Sequence, residues 1–172
     1  KYYVKFKNES QFQAGDYTLT KAMTMDELIQ SLKTGRVYRE PLFAMTIPEG
    51  LTLEQIAQVV AKNTSYTADE FMEVVTSDAF VSKMMAKYPT LITNEVLNEQ
   101  IRYDLEGYLY PATYPFYEES PSIETIIETM IEQLNKLVLD YSAAIEERNL
   151  TVHQFLTFAS LLEEEATAQT DR

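Results

Sequence analysis

The sequence contains no cysteine, no tryptophan, one histidine and only 4 glycines. Without cysteine there is no disulfide, no thiol nucleophile and no cysteine-bound metal, although the compartment stays open. With His153 as the single histidine, a multi-histidine zinc site is excluded as well, and no metal is expected. So few glycines leave little material for a phosphate-binding loop or a dinucleotide-binding turn, and no cofactor is expected. Positive charge is scarce too: 14 Lys and Arg stand against 27 Asp and Glu, a net charge of −13. That field repels a phosphate backbone, so nucleic acid is not an expected partner. Neutral glycans, held by stacking and hydrogen bonds, remain compatible with it. No apolar run approaches the ~20 residues that span a bilayer. The opening Lys1-Tyr2-Tyr3-Val4-Lys5-Phe6-Lys7 alternates like an edge strand rather than a signal peptide.

What is present suits a folded protein. Hydrophobic residues make up 45% of 172, enough for the core of one domain or two small ones. Phe12 to Leu19 turns at Gly15-Asp16 into a short strand, and Thr24-Met25-Asp26-Glu27 has capping-box spacing. Leu28, Ile29 and Leu32 give the following helix its apolar face, with Gly35 as a stop. The same unit recurs: Phe43–Ile47 is strand-like, Pro48-Glu49-Gly50 turns, and Thr52-Leu53-Glu54-Gln55 is a second box. A third, Thr67-Ala68-Asp69-Glu70, opens a helix carrying Phe71, Val74 and Val75.

Residues 78–100 read as irregular helix broken at Tyr88-Pro89-Thr90. Tyr103 to Tyr117 is dense in aromatics, and Gly107, Pro111 and Pro115 keep it from being helical. From Ser122 to about Arg148, Ile123, Ile126, Ile127, Met130, Ile131, Leu134, Leu137 and Val138 form one long helical stripe. A last helix starts near Thr151, capped with Gln154. The expected class is α+β: a strand–helix domain over 1–65, then a mixed, helix-rich domain over 66–172.

Two segments could carry chemistry. Ala159-Ser160-Leu161-Leu162-Glu163-Glu164-Glu165-Ala166 puts three carboxylates at the end of an apolar helix. If Phe155, Ala159, Leu162 and Ala166 are the buried stripe, Glu164 points away and Glu163 and Glu165 each lie about 80° to one side. A half-buried flank carboxylate beside a like charge would hold its proton near neutral pH, as a general acid for glycosidic cleavage must. The pattern leaves Glu163 and Glu165 both open, and a run of Glu is more commonly a solvated face. In the second segment, exposed rings between Tyr103 and Tyr117 would suit the apolar faces of sugars, whereas packed into a core they would be structural. His153 reads as a helix-start residue without a catalytic role.

At these segments the chain resembles a known family. Leu105-Glu106-Gly107-Tyr108-Leu109-Tyr110-Pro111-Ala112-Thr113-Tyr114 is similar to a signature of the endolytic murein transglycosylase (YceG-like) family. So is Ala159–Ala166, and so are Phe12–Tyr17 with Met25–Leu28, and Ile47-Pro48-Glu49-Gly50-Leu51-Thr52. The resemblance implies a LysM-like domain joined to a catalytic domain, with the second Glu of the E-x-E motif, Glu165, as acid/base. Glu106, Tyr108, Tyr110 and Glu163 are the implied substrate-binding residues. The implied reaction cuts the β-1,4 bond from N-acetylmuramic acid to N-acetylglucosamine in peptidoglycan glycan strands, leaving a 1,6-anhydro end. The family also implies an upstream single-pass anchor, the extracytoplasmic face of the cell membrane, and cell-wall synthesis machinery as partners. Two departures stand out. Ala112 replaces the family's usual Asp, and the chain ends at Arg172, where the catalytic domain of the family continues, so the domain reads as truncated and little activity is expected from this stretch alone.

Two other functions fit the same residues. A non-enzymatic peptidoglycan-binding scaffold would use the LysM-like units and exposed aromatics. A helical interaction protein would offer the Ile123–Val138 stripe to a partner, although so regular a stripe is better suited to an internal core.

Overall fold

The structure is a computed structural model that describes residues 23–34 and 40–167, the side chains of residues 34, 164, 166 and 167 excepted. The strands expected at Tyr2–Phe6 and near Leu19, and the stop at Gly35, lie outside those residues. The chain divides into two compact units, Lys1–Pro41 and Leu42–Arg172. The expected division near residue 65 falls inside the second unit, because the strand and helix before it pack into the larger core.

In the first unit the described element is α1 (Met25–Thr34). Its start is the anticipated capping box: Thr24 N–H donates to Glu27 at 2.7 Å and Glu27 N–H donates to the Thr24 hydroxyl at 3.3 Å. These bonds to Thr24 favour the ionised Glu27 and hold its carboxyl below the usual range.

The larger unit runs β1 (Phe43–Thr46), α2 (Leu53–Asn63), α3 (Ala68–Val75), α4 (Asp78–Lys87), a 3-10 turn at Asn94–Leu97, β2 (Thr113–Phe116), α5 (Ile123–Glu147) and α6 (Val152–Thr167). Both further capping boxes are made, Thr52 with Gln55 and Thr67 with Glu70. Ser122 caps α5 through the Thr125 N–H. The stripe of α5 is internal, with Ile126, Ile127, Met130 and Ile131 fully buried. It packs against α3, which in turn packs on α2 and α4. That placement gives the stripe a core partner within the chain and removes the basis for an interaction-protein reading. Lys83–Glu124 and Lys87–Glu128 ion pairs run along the α4–α5 seam at its exposed edge.

β1 and β2 make a two-stranded antiparallel sheet with Phe43 opposite Phe116 and Met45 opposite Tyr114. The alternation sends Met45, Tyr114 and Phe116 inward, while Thr46 and Thr113 share a hydroxyl hydrogen bond of 2.9 Å outside. The ladder continues through Ile47 N–H to the Ala112 carbonyl, so the aromatic segment is clamped to the core at its C-terminal half.

The turn from α5 into α6 is tight. Asn149 adopts φ 54°, the left-handed conformation that Asn tolerates at a helix end, and Leu150 N–H reaches back to the Ile145 carbonyl. Thr151 and Gln154 then cap α6 reciprocally, as their spacing predicts.

Two substitutions separate core from cap. Met130→Ala should cost about 2–5 kcal/mol by leaving a cavity in the interior. Thr67→Ala should cost only about 1 kcal/mol through the lost cap. Urea unfolding of both variants checks the ordering, and equal losses would mean that the α5 stripe is not the centre of the core.

Candidate active site

The site residues expected from the sequence sit on two pieces of the larger unit: the segment between the 3-10 turn and β2, and helix α6. The first is shaped by Gly107, whose φ of +80° is open to glycine and strained for other residues. Around that turn Leu105 and Tyr108 face inward and are fully buried, whereas Glu106 faces outward.

Glu106 has a local structural partner. Its carboxylate accepts the Leu53 N–H at 3.0 Å, satisfying one of the orphan donors at the start of α2 from a loop 53 residues away. Loss of water on that edge pushes its pKa up, and the Leu53 N–H pulls it down. Beside it, Glu54 accepts from the Tyr103 hydroxyl at 2.6 Å and from Arg102 at 2.7 Å, with the Arg102 guanidinium over the Tyr103 ring. This cluster ties the segment to the N-terminus of α2.

Of the two arrangements left open for the tyrosines, the structure shows mainly the packed one. Tyr108 is 1% exposed and Tyr114 is buried, its hydroxyl donating to the Tyr110 carbonyl. Tyr103 and Tyr110 are half-buried and pack on the core, which leaves only Tyr117 open at the end of the segment. Aromatic rings of this size gain more from the apolar interior than from water, and this interior has room for them. Tyr108 therefore cannot offer its ring to a sugar in this arrangement, whereas Tyr110 remains partly accessible. Where the family usually carries Asp, Ala112 contributes its carbonyl to the sheet and no side-chain acid.

Helix α6 leaves the body as it proceeds. Phe155 and Leu156 pack on the core, but from Thr157 to Glu165 every residue with a described side chain is exposed. The expected buried stripe is thus uncovered beyond Phe155: Ala159 is exposed, and Leu162 is 54% exposed beside Phe158 and Leu161. Glu163 and Glu165 are both exposed, and no wall of the described chain desolvates either of them. The half-buried carboxylate that a general acid needs is not formed by these residues alone.

The base of α6 holds a contact that sequence reasoning missed. The Tyr108 hydroxyl lies 3.0 Å from His153 Nδ1, and the two rings stack with centroids 6.1 Å apart. Burial, with the Glu95 carboxylate nearby, pushes the Tyr108 phenol up to about 12. Thr151 adds a second tie by donating to Glu95 at 2.8 Å. His153 and Gln154 face an open depression of about 550 Å³, shared with Asn94, Glu95, Asn98 and Gln100. No signal in the sequence joins Tyr108 to His153, because they stand 45 positions apart with a whole helix between them. Among the described residues no three His, Asp or Glu side chains gather as a metal site would require.

Comparison with known proteins adds to this geometry. The family model for the YceG-like family matches residues 1–172. An endolytic murein transglycosylase of Bacillus subtilis is 42% identical over 171 residues, covering 99% of this chain and 47% of that protein. One from Streptococcus pneumoniae is 42% identical over 180 residues, covering 99% of this chain and 32% of its own length. The crystal structure of a yceG-like protein from Listeria monocytogenes superposes with a TM-score of 0.71 at 36% identity, over 99% of this chain and 55% of that one. The chain thus spans about half the length of the Bacillus relative and about a third of the Streptococcus one. A match of the family model along the whole chain, with α6 ending in the E-x-E motif, shows that this chain belongs to the YceG-like family.

Proposed function

We propose that this chain is part of an endolytic murein transglycosylase, a lyase that cuts peptidoglycan glycan strands with Glu165 as its acid/base. One observation carries the reading: E-x-E stands at the far end of a helix whose base is locked to the L-E-G-Y-L-Y-P segment, as Tyr108 meets His153. The relatives named endolytic murein transglycosylase, 42% identical along this chain, support it.

The chemistry needs one carboxyl group. Glu165, protonated, donates to the glycosidic oxygen as the bond from the N-acetylmuramic acid anomeric carbon breaks, and N-acetylglucosamine leaves as the alcohol. The carboxylate then takes the proton of the muramic acid 6-hydroxyl, whose oxygen bonds to the same anomeric carbon. The product carries a 1,6-anhydro ring, no water is consumed, and the acid is restored. A second catalytic carboxylate at glycosidase spacing is not required. Glu163, on the opposite flank, and the accessible part of Tyr110 are the proposed contacts to substrate.

Such an acid has to be dehydrated to hold its proton, and α6 supplies no cover for it. Phe158, Leu161 and Leu162 are each more than half exposed, an unusual apolar surface for one short helix. We read this face as one that further polypeptide of the enzyme covers, completing the cleft around Glu165. The relatives, two to three times as long as this stretch, are consistent with that reading. The N-terminal unit is proposed to be LysM-like, on the capped α1 and the family pattern around it. The proposed setting is the outer face of the cell membrane, held by an anchor upstream, where glycan strands and the cell-wall synthesis machinery are found. Among the described residues no helix is long and apolar enough to cross a membrane.

The decisive experiment uses the full-length protein and purified glycan strands. Glu165→Gln should lower the yield of 1,6-anhydro ends by at least about 100-fold, the usual worth of a general acid–base, while Glu163→Gln loses much less. Wild-type product formation by Glu165→Gln would remove Glu165 from the reaction. Residues 1–172 on their own should release almost no anhydro product in the same assay, since nothing among the described residues dehydrates Glu165. Efficient cleavage by that stretch would show that no further polypeptide is needed.

A further inference from the structure

We infer that Tyr108 and His153 are positioning residues that aim α6, and so set where Glu165 stands; the inference rests on the reading of Glu165 as the acid. Tyr108 is buried with its ring in the core, so its hydroxyl must find a partner inside the protein or cost the free energy of an unmade hydrogen bond. His153 Nδ1, at 3.0 Å, is the partner. The protonated phenol can donate to Nδ1 or accept from an Nδ1–H, so the pair is joined in either imidazole tautomer. Ring stacking at an interplanar angle of 17° fixes the imidazole against the tyrosine, and the Thr151–Glu95 bond restrains the same end of the helix.

These contacts, with Val152, Phe155 and Leu156 packed on the core, lie within the first two turns of α6. Glu165 is 12 residues beyond His153, about 18 Å along the axis. Over such a lever a tilt of a few degrees at the base moves the carboxyl by about 1 Å, a displacement that can cost about 100-fold in rate. The pair thereby links the two segments that resemble the family signatures: the residue after Gly107 sets the angle of the helix that ends in E-x-E. Tyr108 serves the reaction from the interior rather than as a sugar platform, and His153 has a role that its place at a helix start does not announce.

The test measures kcat and KM of the full-length protein on purified glycan strands, with thermal unfolding alongside. Tyr108→Phe keeps the ring and removes the hydroxyl; His153→Leu removes its partner; His153→Asn returns an amide that can donate or accept near the position of Nδ1. Tyr108→Phe and His153→Leu should lose about tenfold or more in kcat, with KM changed by no more than about twofold. His153→Asn should recover most of that loss. Wild-type kcat in Tyr108→Phe and His153→Leu, with Glu165→Gln inactive, would overturn the positioning role and leave the acid assignment intact. A fall in kcat that only tracks lower melting temperature, unrepaired by His153→Asn, would equally overturn it in favour of a purely structural contact. Activity surviving in Glu165→Gln would remove the acid assignment and this inference with it.

Discussion

Burial of one face of α5 organises the larger unit. Ile126, Ile127, Met130 and Ile131 are completely withdrawn from water, and α3 lies against them. Each such side chain is worth roughly 1.5–3 kcal/mol against exposure, so the helix cannot leave this face open. Phe71 and Val75 of α3, Val81 and Met84 of α4, and Tyr108, Tyr114 and Phe116 from the aromatic segment and β2 join the same core. The sheet is small, and its role is to hold the aromatic segment onto that core rather than to build a layer of its own.

The same burial decides what the aromatic segment can do. A chain stretch with so many rings could have lined a groove, but the core takes Tyr108 and Tyr114 and leaves their hydroxyls to be paired. Tyr114 pairs within the segment, and Tyr108 pairs with α6. Glu106, displaced outward by the turn at Gly107, caps α2 instead of standing free. The segment acts as a hub that joins the start of α2 to the base of α6.

Beyond its base α6 is a contrast to α5. Both helices carry an apolar stripe, yet α5 is covered from Ile123 to Val138 and again at Ile145, and α6 only over its first two turns. Glu165, the acid of the proposed function, thus stands at the open end of a well-anchored helix. Rigid support and chemical environment come from different places: the described chain provides the first, and the proposed reading assigns the second to further polypeptide.

Local signals settled most of the secondary structure before any coordinates. Thr24, Thr52, Thr67, Ser122 and Thr151 each start a helix, because a cap and its partner lie within three residues of one another. The period of the α5 stripe located both the helix and its buried face, since spacing along one helix fixes direction. Which tyrosines would be buried, where Glu106 would find its partner, and that His153 would meet Tyr108 depended on residues 45 or more positions apart. The stripe through Phe155, Ala159 and Leu162 shows the limit most clearly. Helical periodicity can name the face that ought to be covered, but whether anything covers it is a property of the surrounding packing, which only the tertiary structure decides.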